Sequence, residues 1–301
     1  MLFKSRIKSD ELKILSYLNT RMNLPENDKQ YFLKLKKGFE GELMFDLLTE
    51  KLHCHCLILN DLLLKVNNTT FQIDTLIIKD TLHLFEVKNY KGDYYFEDDK
   101  FYPKKSENDI LNPLDQIKRG ESLLQKLLHQ HGFNFFINAK VIFINPEFTL
   151  YQAPKDKPII YPTQINSFMK NFDNTSLKLN NKHRKLAELL VSLHISKSSY
   201  TQIPTYHYSQ CKKGITCSTC DSFLITVEGR NCRCLECGQV ELVESAVLRI
   251  VEEIKVLFPG MKITTNLVNE WCSVVGSKKR ISRILEKNFK IVGVHQWAFY
   301  E

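Results

Sequence analysis

Apolar and polar positions change period several times along this chain, and each change marks an element. Leu12, Leu15, Leu18 and Met22 recur at helical spacing, so residues 1–37 read as a helical lead-in. Residues 38–52 carry a second helical stripe of Gly41, Met44, Leu48 and Leu52, with Phe45 and Leu47 beside it. Residues 57–66 read as a strand. Two runs rich in β-branched and aromatic residues, 71–78 and 82–88, then flank Lys79-Asp80-Thr81 and predict an antiparallel hairpin. Tyr94, Tyr95, Phe96, Phe101 and Tyr102 fit further strands. Asn112-Pro113 opens a helix, since asparagine is a favoured N-cap and proline a favoured first helical residue. Its inward positions are Leu114, Ile117, Leu124, Leu127 and Leu128. Residues 135–144 read as a buried strand, and 155–172 add a loop, a short strand and a helix. This order predicts an α/β fold with a mixed sheet flanked by helices.

The hairpin carries charge where apolar residues are expected. Asp74 interrupts its first run, and Glu86 and Lys88 interrupt the second. Alternate residues of a strand share a face, so Glu86 and Lys88 point the same way. A three-residue bend at 79–81 pairs Ile78 with Leu82 and sets Asp74 opposite Glu86. A two-residue bend would put Phe85 there instead. In the first register two carboxylates and an ammonium converge, at a cost unless something compensates them. Mg²⁺, which takes oxygen ligands and keeps several waters, would compensate the carboxylates. Such a constellation suits phosphodiester hydrolysis. Taken singly, E-x-K is a common accident, and Glu42 reads as a first-turn surface glutamate favoured by the helix dipole.

The 301 residues predict two or three domains. Hydrophobic residues make up 43% and charged residues 25%, as in ordinary globular proteins. A net charge of +8 suits a polyanionic partner without requiring one. The N-terminal stretch lacks the apolar core of a secretory signal, and no apolar run is long enough for a membrane span. Six of the nine cysteines crowd into residues 211–237, which argues for bound metal in a reducing compartment. The expected location is therefore the cytoplasm, with no membrane association.

Within that crowd Cys217/Cys220 and Cys234/Cys237 form two C-x-x-C pairs separated by 13 residues. Two such knuckles complete a tetrahedral four-cysteine zinc site with no open position, so the zinc is structural. The stretch resembles a zinc ribbon. Cys211 and Cys232 are left over as substitute ligands, and His207 is a remote one. After it come a helix over 245–258, a short strand at 261–264, a helix over 266–272, and a helix capped by Ser277. That last helix turns Ile281, Ile284, Leu285 and Phe289 inward and carries Lys279, Arg280, Arg283 and Lys287 elsewhere. One or two strands at 291–300 finish the chain. The order looks like a winged helix, whose basic helix can enter a DNA groove. The plainer reading is an interaction domain with a solvated basic face.

Gly41-Glu42, Gln72-Ile73-Asp74, Glu86-Val87-Lys88 followed by Asn89 and Gly92, and Asn112-Pro113-Leu114-Asp115-Gln116 occur in one order. Together these pieces resemble the nuclease-related domain (NERD) family of the PD-(D/E)XK nucleases, over roughly residues 33–150. The resemblance implies a restriction-endonuclease-like fold and metal-dependent DNA cleavage. It implies that Asp74 and Glu86 hold Mg²⁺ or Mn²⁺ and that Lys88 orients or activates water. It further implies that Glu42, at the opening of a helix, assists, and that Gln116 lines the site. The expected organisation is a lead-in over 1–37, a nuclease-like domain over 38–175, a helical linker over 176–205, a zinc ribbon over 206–243 and a winged-helix-like domain over 244–301. DNA is the expected partner, RNA is a further possible substrate, and the C-terminal modules offer surfaces for protein partners. The rival reading is a non-catalytic nucleic-acid-binding or regulatory protein on the same scaffold.

Overall fold

The computed structural model describes residues 1–106, 108–174, 178–196, 201–294 and 297–301. The chain divides into two compact units, one of residues 1–8 and 33–200, the other of residues 9–32 and 201–301. The boundary expected at 175/176 lies outside the described residues.

The first unit is built on a six-stranded mixed sheet. Its strands are β1 (Leu2–Lys4), β2 (Leu57–Val66), β3 (Thr69–Ile78), β4 (Leu82–Lys88), β7 (Ile137–Phe143) and β9 (Ile159–Ile160), in that spatial order. The β2–β3–β4 meander is antiparallel, and β1, β7 and β9 join in parallel. Between β4 and β7 the chain forms β5 (Gly92–Glu97), β6 (Lys100–Pro103) and α3 (Pro113–Gln130). β5 pairs with β6 on one side and with β8 (Phe148–Tyr151) on the other in a small second sheet.

Strand residues alternate between two cores. Leu57, Leu59, Leu76, Ile78, Leu82 and Leu84 bury with Ile117, Leu124 and Leu128 of α3 and with Leu186, Ala187 and Leu190 of α5 (Asn181–Ser192). Ile58, Ile77, Phe85 and Val87 bury with Phe45 of α2 (Glu26–Thr49) and with Ile165 and Phe172 of α4 (Ile165–Asp173). Helices therefore cover both faces, as the period-2 alternation of a doubly covered sheet requires.

Three sequence expectations change here. Leu2–Lys4 is a strand, so the lead-in is not helical throughout. Gly41-Glu42 lies inside α2 and does not open it. The buried side of α2 carries Phe45, Asp46 and Thr49, while Met44 and Leu47 face solvent. Gly41 also lies on the buried side, where a Cβ would overlap Asn89 Cβ just past β4. Finally, the stretch read as a linker contains α5, a helix of the core.

The second unit contains α1 (Asp10–Arg21) and the three-stranded antiparallel sheet of β10 (Ile225–Glu228), β11 (Asn231–Cys234) and β12 (Val240–Leu242). Then follow α6 (Val243–Leu257), α7 (Thr265–Cys272), α8 (Lys278–Asn288) and the pair β13 (Ile291–Val292) and β14 (Phe299–Tyr300). Ile263 bridges to Tyr300. Cys211 and Cys232 are buried in the core that α1, α6, α7 and α8 share. At its centre Arg21 donates to Glu253, to Lys212 O at 2.7 Å and to Gly214 O at 3.1 Å.

Candidate active site and metal centre

The bend between β3 and β4 sets the position of every hairpin charge. Ile78 pairs with Leu82, Ile77 with His83, Leu76 with Leu84 and Thr75 with Phe85, so Lys79-Asp80-Thr81 is a three-residue connection. The next position along this register sets Asp74 against Glu86. There the ladder ends, and Val87 N–H donates to Asp74 Oδ2 at 2.8 Å in place of a main-chain bond. On the other side Asp74 lies opposite Asp61 of β2 in an unshifted register. Asn60 pairs with Thr75 and Leu62 with Ile73, while Asp61 adopts a positive φ of 53°. Asp74 thus sits where the β3–β4 ladder ends and opposite Asp61 with its positive φ.

Asp74 and Glu86 line an open cleft of about 420 Å³ together with Gln72, Gln116 and Arg119. Gln116 comes from the first turn of α3, which Asn112 caps by accepting from Leu114 N–H at 2.9 Å. Arg119 lies one turn further on, and its guanidinium has no hydrogen-bond or ion-pair partner among the described residues. The sequence pattern does not single out Arg119, because one arginine beside a lysine on a helix resembles any solvated face.

Lys88 Nζ donates to Glu86 Oε1 at 2.6 Å, with both side chains mostly enclosed. Burial alone would lower the lysine pKa, but Glu86, Tyr90 and Asp74 together outweigh it and hold the pKa up. Burial raises the Asp74 pKa well above the usual carboxylate range, and the charges of Glu86 and Glu42 add to it. Glu42 is likewise raised, first by burial, although Arg6 opposes this. Arg6 follows β1 and had no signal in the sequence. Its guanidinium reaches Glu42 at 2.5 Å and Asp46 at 2.9 and 3.0 Å, and donates to the Asp74 carbonyl at 2.8 Å.

The donor chemistry of this cleft fits a hard divalent cation. Two carboxylates line one solvent-reachable pocket, and the Asp74 pKa is raised first by burial and then by the neighbouring charges of Glu86 and Glu42, which a bound cation would offset. Asp74 and Glu86 are the residues that would hold Mg²⁺ or Mn²⁺.

In the second unit the four predicted cysteines come together. Cys217 Sγ lies 3.5 Å from Cys237 Sγ, and Cys220 Sγ lies 3.6 Å from Cys234 Sγ. All four sulfurs fall within 4.8 Å of one another. Zinc–sulfur bonds of about 2.3 Å in a tetrahedron require sulfur separations of about 3.8 Å, so the set can hold an ion such as zinc. Each knuckle closes in the same way. Asp221 follows the first pair with a φ of 58°, and Gly238 follows the second with a φ of 77°. Cys211 and Cys232 are core residues, and neither they nor His207 belong to the cluster.

A family model described as nuclease-related domain matches residues 37–144, a region holding Glu42, Asp74, Glu86, Lys88 and Gln116. Among solved structures, protein VC1899 from Vibrio cholerae is similar at 10% identity and a TM-score of 0.24. That match covers 50% of this chain, which spans 36% of the other protein's length. No curated protein matches the chain. No helix among the described residues is long and apolar enough to cross a membrane.

Proposed function

We propose that this chain is a metal-dependent nuclease that hydrolyses DNA phosphodiester bonds at the cleft between β3, β4 and α3. The observation that carries the reading is Asp74 facing Glu86 across the end of the β3–β4 ladder, with Lys88 bonded to Glu86, inside the region matched to the nuclease-related domain. Mg²⁺ or Mn²⁺ held by Asp74 and Glu86 would stabilise the charge that builds on phosphorus during attack and lower the pKa of the attacking water.

The chain's own residues divide the remaining work. Lys88 keeps its proton at neutral pH, so it acts as a donor to a phosphate oxygen and as a counter-charge. Gln116 offers an amide to the water or to a phosphate oxygen from a helix end whose dipole favours anions. Arg119 is placed to bind a neighbouring phosphate of the strand. Glu42 adds negative charge beside Asp74.

The second unit supports a role on DNA. We assign the four-cysteine cluster to structural zinc. The order α6, Ile263, α7, α8, β13, β14 supports reading this region as a winged helix. Lys278, Lys279, Arg283 and Lys287 are exposed on α8. Arg280 Nη1 donates to Gly229 O at 2.8 Å, which ties that helix to the β10–β11 turn. Binding mainly through phosphates should weaken steeply with salt.

The test is nicking or linearisation of plasmid by purified protein with Mg²⁺ or Mn²⁺, against EDTA. Asp74→Ala and Lys88→Ala should abolish cleavage while circular dichroism stays that of the wild type. Cleavage undiminished in both variants would reject the assignment.

A further inference from the structure

The small sheet of β5, β6 and β8 has two unlike faces. Tyr94, Phe96, Phe101 and Leu150 turn one face into the core of the large sheet. Alternation then turns Tyr95, Tyr102 and Tyr151 to the other. The register sets these three in one row, since Tyr95 is the partner of Tyr102 on β6 and of Tyr151 on β8. The Tyr95 and Tyr102 rings are stacked, 4.9 Å between centroids and 10° between planes, and both are half-exposed. Tyr151 is 45% exposed, and Lys104 Nζ lies 4.6 Å from its ring centre.

This face suits bases better than phosphates. Lys100 and Lys104 share it with Asp93 and Glu97, so its charges balance and do not recruit a polyanion. Aromatic rings offer instead a surface on which any nucleobase can stack. Bases inside a duplex are covered by their neighbours, and freeing one costs unpairing and unstacking. An unpaired strand presents its bases without that cost. The row is also joined to the cleft. Phe101 of β6 bridges Ile110, and the next residue, Leu111, is 69% exposed and lines the cleft. Asn112, the cap of α3, donates from Nδ2 to Asp99 O in the β5–β6 turn at 2.7 Å. The helix that carries Gln116 and the strands that carry the tyrosines are thereby fixed to one another. We propose that Tyr95, Tyr102 and Tyr151 form a stacking platform for unpaired bases of the DNA strand that enters the cleft, which favours substrates with an unpaired stretch beside the cleavage point. The platform deepens the nuclease reading of the cleft and rests on it.

The test is fluorescence anisotropy of a labelled oligothymidylate and of a blunt duplex with the full chain, without Mg²⁺ or Mn²⁺ so that no strand is cut. Tyr95→Ala and Tyr151→Ala should each weaken oligothymidylate binding about tenfold and leave duplex binding unchanged. The factor should be the same at low and high salt, because stacking releases no counterions. Tyr95→Phe should bind as the wild type does, since the ring makes the contact. Should Tyr95→Ala not fold, Tyr151→Ala decides, because that ring is the exposed one. Undiminished oligothymidylate affinity in the folded variants, an equal loss for the duplex, or a wild type that does not bind the oligothymidylate would overturn the platform. Cutting is read separately after Mg²⁺ is added. Tyrosine-dependent binding with no cleavage of any DNA would sink the nuclease reading and keep the platform, and cleavage without tyrosine-dependent binding would do the reverse.

Discussion

On the zinc assignment proposed above, removing the metal from the four-cysteine cluster should unfold the β10–β12 ribbon and leave the large sheet intact. From Cys217 to Leu242 the enclosed side chains are Cys217, Cys232 and Cys234, and every residue of β10 and β12 is at least partly exposed. Three small thiols contribute at most a few kcal/mol of apolar burial, at roughly 0.8 kcal/mol per buried methylene-sized group. Ordering about 25 residues of backbone opposes folding by roughly 25–50 kcal/mol. The seven cross-strand residue pairs of the ribbon do not close that gap, since each hydrogen bond contributes only about 1 kcal/mol net. Metal binding, at about 10–16 kcal/mol for comparable four-ligand sites, and packing on α6 are what remain. The assay is hydrogen exchange read by mass spectrometry on full-length protein, with metal content measured in parallel. Peptides covering β10, β11 and β12 should lose protection after chelation, while those from β2, β3 and β4 keep it. Because Arg280 is bonded to the β10–β11 turn, affinity for DNA should fall as well. Protein shown to be free of zinc, yet with the ribbon amides protected as before, would refute the reasoning.

Gly41→Ala should destabilise the first unit by about 1–3 kcal/mol, because the new Cβ meets Asn89 Cβ, which is too close to the backbone to swing away. A melting temperature unchanged from wild type would contradict it. His83 is held down to about 4, first by burial and then by Lys79, so the unfolded chain takes up a proton before the folded one does. Stability is therefore full above pH 6.5 and is lost as pH falls from there to about 4, by at most about 3 kcal/mol. Urea midpoints at pH 7 and pH 5 should differ more for the wild type than for His83→Phe, and equal differences would exclude this origin. Arg21→Leu should cost about 3–5 kcal/mol by leaving Glu253 buried and unpaired, and Arg21→Leu/Glu253→Leu should recover most of it. A double variant as unstable as the single one, in denaturant titration, would show that the bonds to Lys212 and Gly214 matter more than the charge.

Much of the candidate site was legible because strand side chains repeat every two residues. Once three residues are assigned to the bend, Asp74, Glu86 and Lys88 have no freedom left in which way they face. The cysteine spacing was legible for a similar reason, since a knuckle is local and its two ligands are three residues apart. Gln116 needed only the Asn112-Pro113 cap to place it in a first turn. The face of α2 was misread because helical periodicity weighs hydrophobicity alone. A buried Asp46 beside an exposed Leu47 reverses that signal, and only the charge of Arg6 makes it stable. The stretch around α5 was misread because an amphipathic helix does not state what its apolar side will cover.

The sequence by itself therefore determined the hairpin with its charged face, the paired cysteine knuckles, the capped helix starts and the order of the elements. All of these are set by interactions between residues close along the chain. Tertiary structure alone decided that Leu2–Lys4 joins the sheet, that Arg6 bonds to both Glu42 and Asp46, and that Arg119 lines the cleft with Asp74. Those contacts join residues about 30 to 70 positions apart, and a chain segment carries no record of a partner it meets only after the sheet has closed.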